Sequence, residues 1–482
     1  MRVMPNKLFA AAVITALFIW ADVAYSQVAN ANGNAPAHHP NQGSSAFQAA
    51  PERLIEDIAR HSSLMQNLEE MCDGIGPRMT GSAQLRTAQA WAMEKLKEYG
   101  ATNVHEEAYE LGKPWQRGSA RARLLNANGQ SVDIVQKAWT TGTDGPIQAD
   151  VAVLDVNTLD ELKVAAPKLK GKIVLLVSSP TASSEQGKNM RQFANEVNQV
   201  IKDAQFAAIL IISRKEGKLQ DMLGGPNSRF DRNAGIITKE SAKLLRRLLA
   251  RGLHPRLELE LGGGFGAQPV QAYNVVADFK GSELADEMVI VGAHQDSWDL
   301  GTGATDNGTG TVVAMEMMRT MHALGLKPRR SLRVVLFSGE EQGLLGSKAY
   351  LAQHHAELEK IQAVFVMDAG SGRILGFPDM KVEAWYTALS AALAPAKQLG
   401  ALDVPYAIGA GSDHDVFFDR GIPAFTPMQE PLDYRSHTQH SQADTLDHVV
   451  IADLLQGAQV MAVTVWGVLN GEPIAHQVRA PH

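Results

Sequence analysis

The chain has almost no cysteine and no excess of basic residues, and each shortage excludes a class of protein. Cys72 is the only cysteine among 482 residues, so no intrachain disulfide can form and no zinc-finger motif is present. The formal net charge of -7 gives no electrostatic reason to expect a nucleic-acid partner. Beyond the N-terminus, we expect no segment long and apolar enough to span a membrane. With 45% hydrophobic and 20% charged residues, the composition is that of a soluble globular protein.

The first residues have the layout of a secretory signal peptide. Arg2 and Lys7 give a positive start, residues 8–20 form an apolar run, and residues 24–26 supply small side chains before a cleavage point. The apolar run is shorter than the roughly 20 residues that a spanning helix needs, and an uncleaved membrane anchor is the alternative. We therefore predict that residues 1–26 are a cleaved signal peptide, and that the protein is secreted or periplasmic without stable membrane insertion.

The length predicts more than one hydrophobic core. Residues 27–50 are rich in Ala, Asn, Gly and Pro and are predicted to be a flexible leader. Residues 51–150 are predicted to begin the main domain. Short apolar runs alternate with helical stretches over residues 151–261, which predicts an inserted smaller α/β domain. Residues 262–482 are predicted to complete the main domain and to carry its chemistry.

Three short apolar strands are predicted in the last part of the chain, over residues 288–293, 333–337 and 363–367. A helix is predicted over residues 311–323, after the first of these strands. Strands that alternate with helices predict a mainly parallel central sheet with helices on both faces. In such sheets, ligands bind beyond the carboxyl ends of the strands. Further helices are predicted over residues 51–68, with an interruption near residues 61–63, over residues 83–99 and over residues 239–250.

Each of the three strands is followed by a side chain that can bind a metal ion. The first strand runs into His294, the second ends before Glu340 and Glu341, and the third ends before Asp368. One such residue at a strand end could occur by chance, but three form a constellation. Asp296, two residues after His294, suits a carboxylate that accepts the imidazole N–H.

Two further segments complete the candidate set. Asp306 lies in a loop of small residues that opens the helix at residue 311, and His440 lies in a histidine-containing segment near the C-terminus. Zinc favours nitrogen and oxygen ligands, and a catalytic site leaves one position open for water. A pair of zinc ions about 3.5–4 Å apart needs a bridging group, which a carboxylate can provide.

These segments together resemble the co-catalytic di-zinc exopeptidase family, which includes bacterial leucine aminopeptidases and carboxypeptidase Q-like enzymes. The combination of segments is specific for the family, whereas any one segment alone would be weak evidence for it. The segments that carry the resemblance are residues 292–299, 306–310, 340–343, 367–370, 440–441 and 444–445, with residues 76–82 and 115–118 upstream.

The resemblance implies a zinc exopeptidase fold, in which residues 151–261 are a protease-associated-like domain, and a role for each candidate. It implies that Asp306 bridges two zinc ions and is followed by a cis peptide bond. It implies one zinc site completed by His294 and Asp368 and a second completed by Glu341 and His440. It also implies that Glu340 is the general base. His440 is preferred to His437 because its spacing from the following Asp-Thr pair matches the family.

The predicted function is extracytoplasmic, zinc-dependent hydrolysis of short peptides, with the likeness favouring a carboxypeptidase Q-like dipeptidase. An aminopeptidase that releases N-terminal residues stays open, because the pocket walls decide which terminus is recognised. Two alternatives from other classes are a non-catalytic, receptor-like relative and a single-zinc acyl or cyclising transferase. A two-fold homodimer is the default for soluble oligomers and is implied by the resemblance.

Overall fold

The computed structural model describes residues 49–126, 128–182, 190–226 and 232–477. The predicted signal peptide and all but the last two residues of the predicted leader lie outside the described residues, so both stay predictions. Ala50, the last residue of that predicted leader, is buried as the first residue of a helix.

The strands of the described residues form two large sheets and two short strand pairs. They are β1 (Thr102–Gly112), β2 (Trp115–Gln116), β3 (Ala120–Leu124), β4 (Ile134–Gln136), β5 (Ile147–Leu154), β6 (Ile173–Leu176), β7 (Ala208–Ile212), β8 (Ala234–Ile237), β9 (Arg256–Leu261), β10 (Gly264–Phe265), β11 (Val270–Phe279), β12 (Leu284–His294), β13 (Arg330–Phe337), β14 (Ile361–Val366), β15 (Ile374–Gly376), β16 (Ala424–Phe425) and β17 (Met428–Gln429).

The α-helices lie mostly between strands, as an α/β protein requires. They are α1 (Ala50–His61), α2 (Leu64–Glu69), α3 (Ala83–Glu98), α4 (Leu159–Ala165), α5 (Met190–Asp203), α6 (Lys239–Ala250), α7 (Thr309–Ala323), α8 (Leu345–Gln353), α9 (Glu383–Leu393), α10 (His414–Phe418) and α11 (Ile451–Asn470). The described residues also contain short helical turns. The π-helical turns are Glu70–Ile75, Ala304–Gly308 and Tyr434–Thr438, and the 3₁₀ turns are Ala166–Leu169, Leu358–Lys360, Ala394–Leu399 and Leu446–His448.

The first large sheet has six strands in the order β1-β11-β13-β12-β14-β16. Strand β12 pairs in parallel with β13 and β14, and β14 pairs in parallel with β16. Strand β11 is antiparallel to both of its neighbours, β1 and β13, so it alone runs against the other five strands. The predicted central sheet, mainly parallel, is therefore present.

Helices cover both faces of this sheet, as predicted. Along β12, Val289 and Val291 face a core that includes side chains of α1, α7 and α11, whereas Ile290 faces a second core with side chains of α8 and α10. Because side chains alternate along a strand, a strand buried on both faces is apolar at every position. This burial explains the continuous apolar runs in the sequence.

The second large sheet has seven strands in the order β3-β9-β5-β6-β7-β8-β4. Its strands lie between Ala120 and Leu261, so the sheet begins before residue 151, where the sequence predicts the inserted domain to start. Strand β3 was missed because Arg121 and Arg123 alternate with apolar residues, so it has no continuous apolar run. These arginines pair with Glu260 and Glu258 of β9 on the exposed face. The division into domains stays a prediction.

Helix α11 corrects the expectation that no segment beyond the N-terminus could span a membrane. Its 20 residues are long and apolar enough to do so by length and composition. In the structure, however, 72% of its most apolar window is buried inside the protein. Gln456 and Gln459 on this helix donate hydrogen bonds to backbone carbonyls of neighbouring segments. These features are those of a core helix.

Candidate metal centre

The parallel register brings three chain segments to one edge of the first sheet. His294 is the last residue of β12 and lies opposite Phe337, the last residue of β13. Gly292 lies opposite Val366, the last residue of β14. Residues 338–341 and 367–368 therefore continue from strands that end beside His294. The predicted convergence at the carboxyl ends of the strands is present.

Two groups of metal-competent side chains lie at this edge, and both contain Asp306. The first group is His294, Asp306 and Asp368, and the second is Asp306, Glu341 and His440; within each group the potential ligand atoms lie within 4.8 Å of one another. His294 Nε2 is 3.3 Å from Asp306 Oδ1 and 3.2 Å from Asp368 Oδ1. His440 Nε2 is 3.5 Å from Asp306 Oδ2 and 3.0 Å from Glu341 Oε2. The structure thus brings these five predicted residues together.

The loop that carries Asp306 is held from two sides. The Asp444 carboxylate accepts hydrogen bonds from the Thr305 amide at 2.7 Å and from the Asp306 amide at 3.2 Å. The Asn307 side chain donates to the Met367 carbonyl at 2.8 Å. The Asp306–Asn307 peptide bond is cis, as the resemblance implies. Gly310 has no room for a side chain, because a Cβ atom would lie 2.2 Å from the Met367 carbonyl oxygen.

A fully buried arginine ties this loop to the end of β12. The Arg78 guanidinium donates to the carbonyl oxygens of Gln295 at 2.8 Å, Thr302 at 2.7 Å and Gly303 at 2.8 Å. Its backbone amide also donates to the Ser297 hydroxyl at 3.0 Å. A planar guanidinium with five fixed donors suits several carbonyls at once. The upstream motif at residues 76–82 therefore positions the segments that carry His294 and Asp306.

His440, rather than His437, reaches the centre. His437 is exposed, and its ring nitrogen lies 3.0 Å from the Ser436 hydroxyl. His440 has a left-handed backbone with φ of 56°, and its carbonyl accepts a hydrogen bond from the Met222 amide at 2.7 Å. The Trp298 ring packs edge-on against the His440 imidazole, with ring centroids 6.1 Å apart.

Glu340 and Glu341 are adjacent in the sequence but differ in position relative to the ligand groups. Strand β13 ends at Phe337, and the two glutamates lie in a turn in which the Gly343 amide donates to the Glu340 carbonyl at 2.8 Å. Glu341 belongs to the second group of ligand atoms, whereas Glu340 belongs to neither group. The turn, not a continued strand, gives the two carboxylates different places.

The partner of the His294 imidazole also differs from the prediction. His294 Nδ1 lies 3.0 Å from the Asp296 backbone carbonyl oxygen and 3.7 Å from its carboxylate. The Asp296 carboxylate instead accepts from the Thr80 hydroxyl at 2.9 Å and from the Glu340 amide at 3.4 Å. Asp296 therefore orients the imidazole through its backbone, while its side chain holds the turn of Glu340.

Burial and crowding of acids shift the pKa values at this edge. Burial raises the pKa of Glu340 well above its usual range, and the charges of Asp368 and Glu341 raise it further. Burial also raises the pKa of Glu341 to about 7. For His440, burial alone would lower the pKa, but the carboxylates of Glu341 and Asp306 outweigh it and raise the pKa to about 9. Such opposed shifts in one cluster are typical of functional sites.

The donor set fits divalent metal ions. Among the described residues, Asp306 Oδ2 and Glu341 Oε1 are buried without a hydrogen-bond partner. An ionised carboxylate oxygen that is buried without a partner is costly, and coordination of a cation relieves that cost. Imidazole nitrogens and carboxylate oxygens are ligands that zinc favours. A carboxylate shared by both groups also fits a bridge between two ions.

Comparison with known proteins places the chain in a family. The sequence model of peptidase family M28 matches residues 274–465, which contain all six predicted site residues. Over 408 residues, the chain is 30% identical to the carboxypeptidase Q of Xenopus laevis, with 82% of this chain and 84% of that protein covered. The chain belongs to peptidase family M28.

Solved structures agree with this membership of family M28. A peptidase M28 precursor from Shewanella amazonensis aligns with a TM-score of 0.77 at 29% identity and covers 91% of this chain and 99% of its own. A zinc aminopeptidase from Bacillus subtilis aligns with a TM-score of 0.65 at 18% identity and covers 88% of this chain and 95% of its own. The predicted enzyme class, a metallo-exopeptidase, and the mixed α/β fold are confirmed.

Some residues near the candidate metal centre are not marked by any sequence motif. Lys215 and Asp221 lie on the loop after β7, in the second sheet, and Asp221 contributes to the electrostatic surroundings of His440. The Tyr434 hydroxyl is among the groups that lower the pKa of Asp306, although burial acts in the opposite direction. No motif marks Lys215 or Tyr434, because their proximity to Asp306 depends on long-range folding.

Proposed function

We propose that this M28 peptidase is an extracytoplasmic, zinc-dependent exopeptidase that hydrolyses short peptides, in the manner suggested by its likeness to carboxypeptidase Q. The observation that carries the proposal is the pair of ligand groups that share Asp306. The predicted signal peptide supports the extracytoplasmic location. The 30% identity to a carboxypeptidase over most of both chains supports the substrate class.

In this proposal, Asp306 holds both metal ions. His294 and Asp368 complete one site, and Glu341 and His440 complete the other. When bound, the two zinc ions would supply Lewis-acid polarisation of the scissile carbonyl and would lower the pKa of a water molecule. Asp444 and Asn307 keep the Asp306 loop in place by the hydrogen bonds described above.

Glu340 moves the proton. It lies outside both ligand groups, yet it is close enough to His294 and Asp368 for their charges to affect its pKa. Its carboxylate would take a proton from the attacking water and pass it to the leaving amine. Such general acid–base catalysis contributes typically about 10²–10⁴-fold in rate. The backbone amide of Glu340 donates a hydrogen bond to the Asp296 carboxylate, and this bond helps to fix the position of the base.

A peptide panel tests the proposed function. The panel comprises free dipeptides, their N-acetyl and C-terminal amide derivatives, and tripeptides, each assayed with and without a metal chelator. We expect turnover of free dipeptides that disappears with the chelator and returns when zinc is added. Turnover of amides but not of N-acetyl peptides would favour an aminopeptidase. Absence of all turnover by a zinc-loaded protein would favour a receptor-like relative. A content of one zinc ion per chain would favour a transferase.

A further inference from the structure

The loop after β7 brings a cation from the second sheet to the proposed active site. This loop, residues 213–226, contacts the two segments that carry the proposed ligands Glu341 and His440. The Met222 amide donates to the His440 carbonyl at 2.7 Å, and the Gln220 amide donates to the Gln442 side-chain oxygen at 2.9 Å. At its far end, Gly225 lies against Gln342, where an added Cβ would be 3.2 Å from the Gln342 Cα.

Lys215 is the cation on this loop, and it is nearly buried. Lys215 is 8% exposed, and its Nζ donates one hydrogen bond, to the Arg435 carbonyl at 2.5 Å. No carboxylate of the described residues lies within ion-pair distance of this Nζ. An ammonium group has three N–H donors, and the bond to Arg435 uses one of them.

The buried acid of this loop is paired with a different cation. Asp221 is 1% exposed and is paired with the Arg214 guanidinium, whose Nη2 donates to Asp221 Oδ1 at 3.1 Å. Burial lowers the pKa of Lys215, and the charges of Asp221 and Asp306 oppose this shift. The ammonium is bonded to the chain segment just before the proposed ligand His440, because its acceptor is the Arg435 carbonyl, and the same loop contacts His440 through Met222. A buried cation without a paired anion is costly unless an anionic ligand binds there.

Other polar atoms beside this loop also lack partners within the described residues. Both the oxygen and the nitrogen of the Gln342 side-chain amide are buried without a hydrogen bond, and so is the indole nitrogen of Trp298. Gln342 follows the proposed ligand Glu341, and Trp298 contacts His440. Buried polar atoms without partners are uncommon in native proteins, and a bound ligand is one way in which they are satisfied. Both side chains lie beside the loop of Lys215, since Gly225 of the loop lies against Gln342 and Met222 of the loop bonds to His440.

We propose that Lys215 binds the free C-terminal carboxylate of the peptide substrate and so determines the specificity of the enzyme. The inference rests on the proposed function and deepens it, because it assigns recognition of the C-terminus to a residue of the second sheet. A fixed cation also selects peptide length. Each further residue moves the carboxylate by up to about 3.3–3.6 Å along an extended peptide, so one length fits best.

Replacement of Lys215 by methionine tests the assignment. The variant K215M keeps the apolar stem and removes the charge. The readout is the ratio of kcat/KM for the best free dipeptide of the panel to that for its C-terminal amide. We expect the wild type to favour the free dipeptide by roughly 10- to 100-fold, the range for a charge-assisted hydrogen bond. We expect K215M to reduce this ratio to about 1 and K215R to retain part of it.

Lys218 on the same loop provides the matched control. Its side chain is 71% exposed and lies 3.9 Å from the Asp133 carboxylate. We expect K218M to keep the wild-type ratio. Equal loss of activity toward both substrates in K215M would contradict the proposal, because it would mean that Lys215 only supports the Arg435 carbonyl. A wild-type ratio near 1 would also contradict it, even if K215M did not fold.

A binding experiment separates this inference from the proposed function. Calorimetry with the E340Q variant measures the affinity for L-alanyl-L-alanine and for its C-terminal amide without turnover. We expect tighter binding of the free dipeptide, by the same roughly 10- to 100-fold, and loss of that difference in the double variant E340Q/K215M. If no peptide is hydrolysed but this difference is found, the proposed function fails, while the assignment of the C-terminal carboxylate to Lys215 is retained as a binding site. If peptides are hydrolysed and no difference is found, the inference fails alone.

Discussion

Asp306 directs its two carboxylate oxygens to two different histidines. Oδ1 lies 3.3 Å from His294 Nε2, and Oδ2 lies 3.5 Å from His440 Nε2. These three residues could be predicted from the sequence, because His294 ends an apolar strand, Asp306 lies in a loop of small residues, and His440 has the spacing of the family that the chain resembles. The hydrogen bonds that hold them could not, since Asp296 was expected to use its carboxylate where it uses its carbonyl. Such detail depends on a turn whose backbone the sequence does not specify.

Replacement of Glu340 by glutamine tests the proposed base at this scale. The amide has nearly the same shape but cannot accept the proton of an attacking water. We expect E340Q to keep both metal ions and to lose kcat by about 10²–10⁴-fold. Kinetics on the best dipeptide and zinc analysis of the same preparation measure the two effects. The control is E359Q, the same change at a side chain that is 95% exposed. Activity of E340Q within a few-fold of the wild type would reject the assignment.

Removal of the Asp306 carboxylate tests the proposed bridge. Since Asp306 belongs to both ligand groups, we expect D306A to lower zinc occupancy at both sites. D368A is the matched comparison, because Asp368 belongs to one group only and its loss should affect one site more than the other. Elemental analysis of the purified variants after dialysis gives the zinc content per chain. Retention of two zinc ions by D306A would speak against a bridging role.

At the scale of elements, the apolar pattern predicted the central strands well. The predicted strand over residues 333–337 lies within Arg330–Phe337, and the predicted helix over residues 239–250 has the observed bounds. These elements are strongly periodic or buried on both faces. Strand β3 was missed because Arg121 and Arg123, two of its five side chains, face solvent. A short strand with one polar face carries little pattern, and its pairing with β9 is a long-range feature.

A buried ion pair joins helix α1 to helix α7. This pair predicts that the stability of the protein depends on pH. Asp57 Oδ2 accepts from Arg319 Nη2 at 2.5 Å and from the Thr320 hydroxyl at 2.7 Å. Burial acts to raise the pKa of Asp57, but these donors outweigh it, and the net pKa is lowered from 3.8. A carboxyl group with a lowered folded-state pKa stabilises the protein above its unfolded-state pKa. That contribution is lost as the pH falls through the folded-state value.

We therefore expect D57N to lower the free energy of unfolding near pH 7 by about 1–3 kcal/mol, the range for a hydrogen bond to a charged group. The difference from the wild type should shrink as the pH falls from about 3.8 through the lower folded-state pKa, where the folded wild-type carboxyl group also becomes neutral. Urea unfolding at several pH values measures both quantities. D160N, at a side chain that is 96% exposed, should change stability by less than about 0.5 kcal/mol. A pH-independent effect of D57N would contradict the ion-pair account.

At the scale of the whole molecule, the second sheet contributes to the centre as well as packing beside it. Its loop at residues 213–226 meets segments more than two hundred residues away, at Arg435 and Gln442. No local pattern in the sequence could predict these contacts, because they arise only when both sheets have formed and docked. The sequence was informative about the residues at the strand ends of the first sheet. It did not indicate that a loop of the second sheet lies beside those residues.

In the proposed enzyme, two cations share Asp306 at the carboxyl edge of the first sheet. The most direct measurement is anomalous X-ray diffraction at the zinc absorption edge from crystals of the wild-type enzyme grown with zinc. We predict two anomalous peaks about 3.5–4 Å apart, with Asp306 contacting both, His294 and Asp368 at one, and Glu341 and His440 at the other. A single peak, or peaks bound by other residues, would contradict the account.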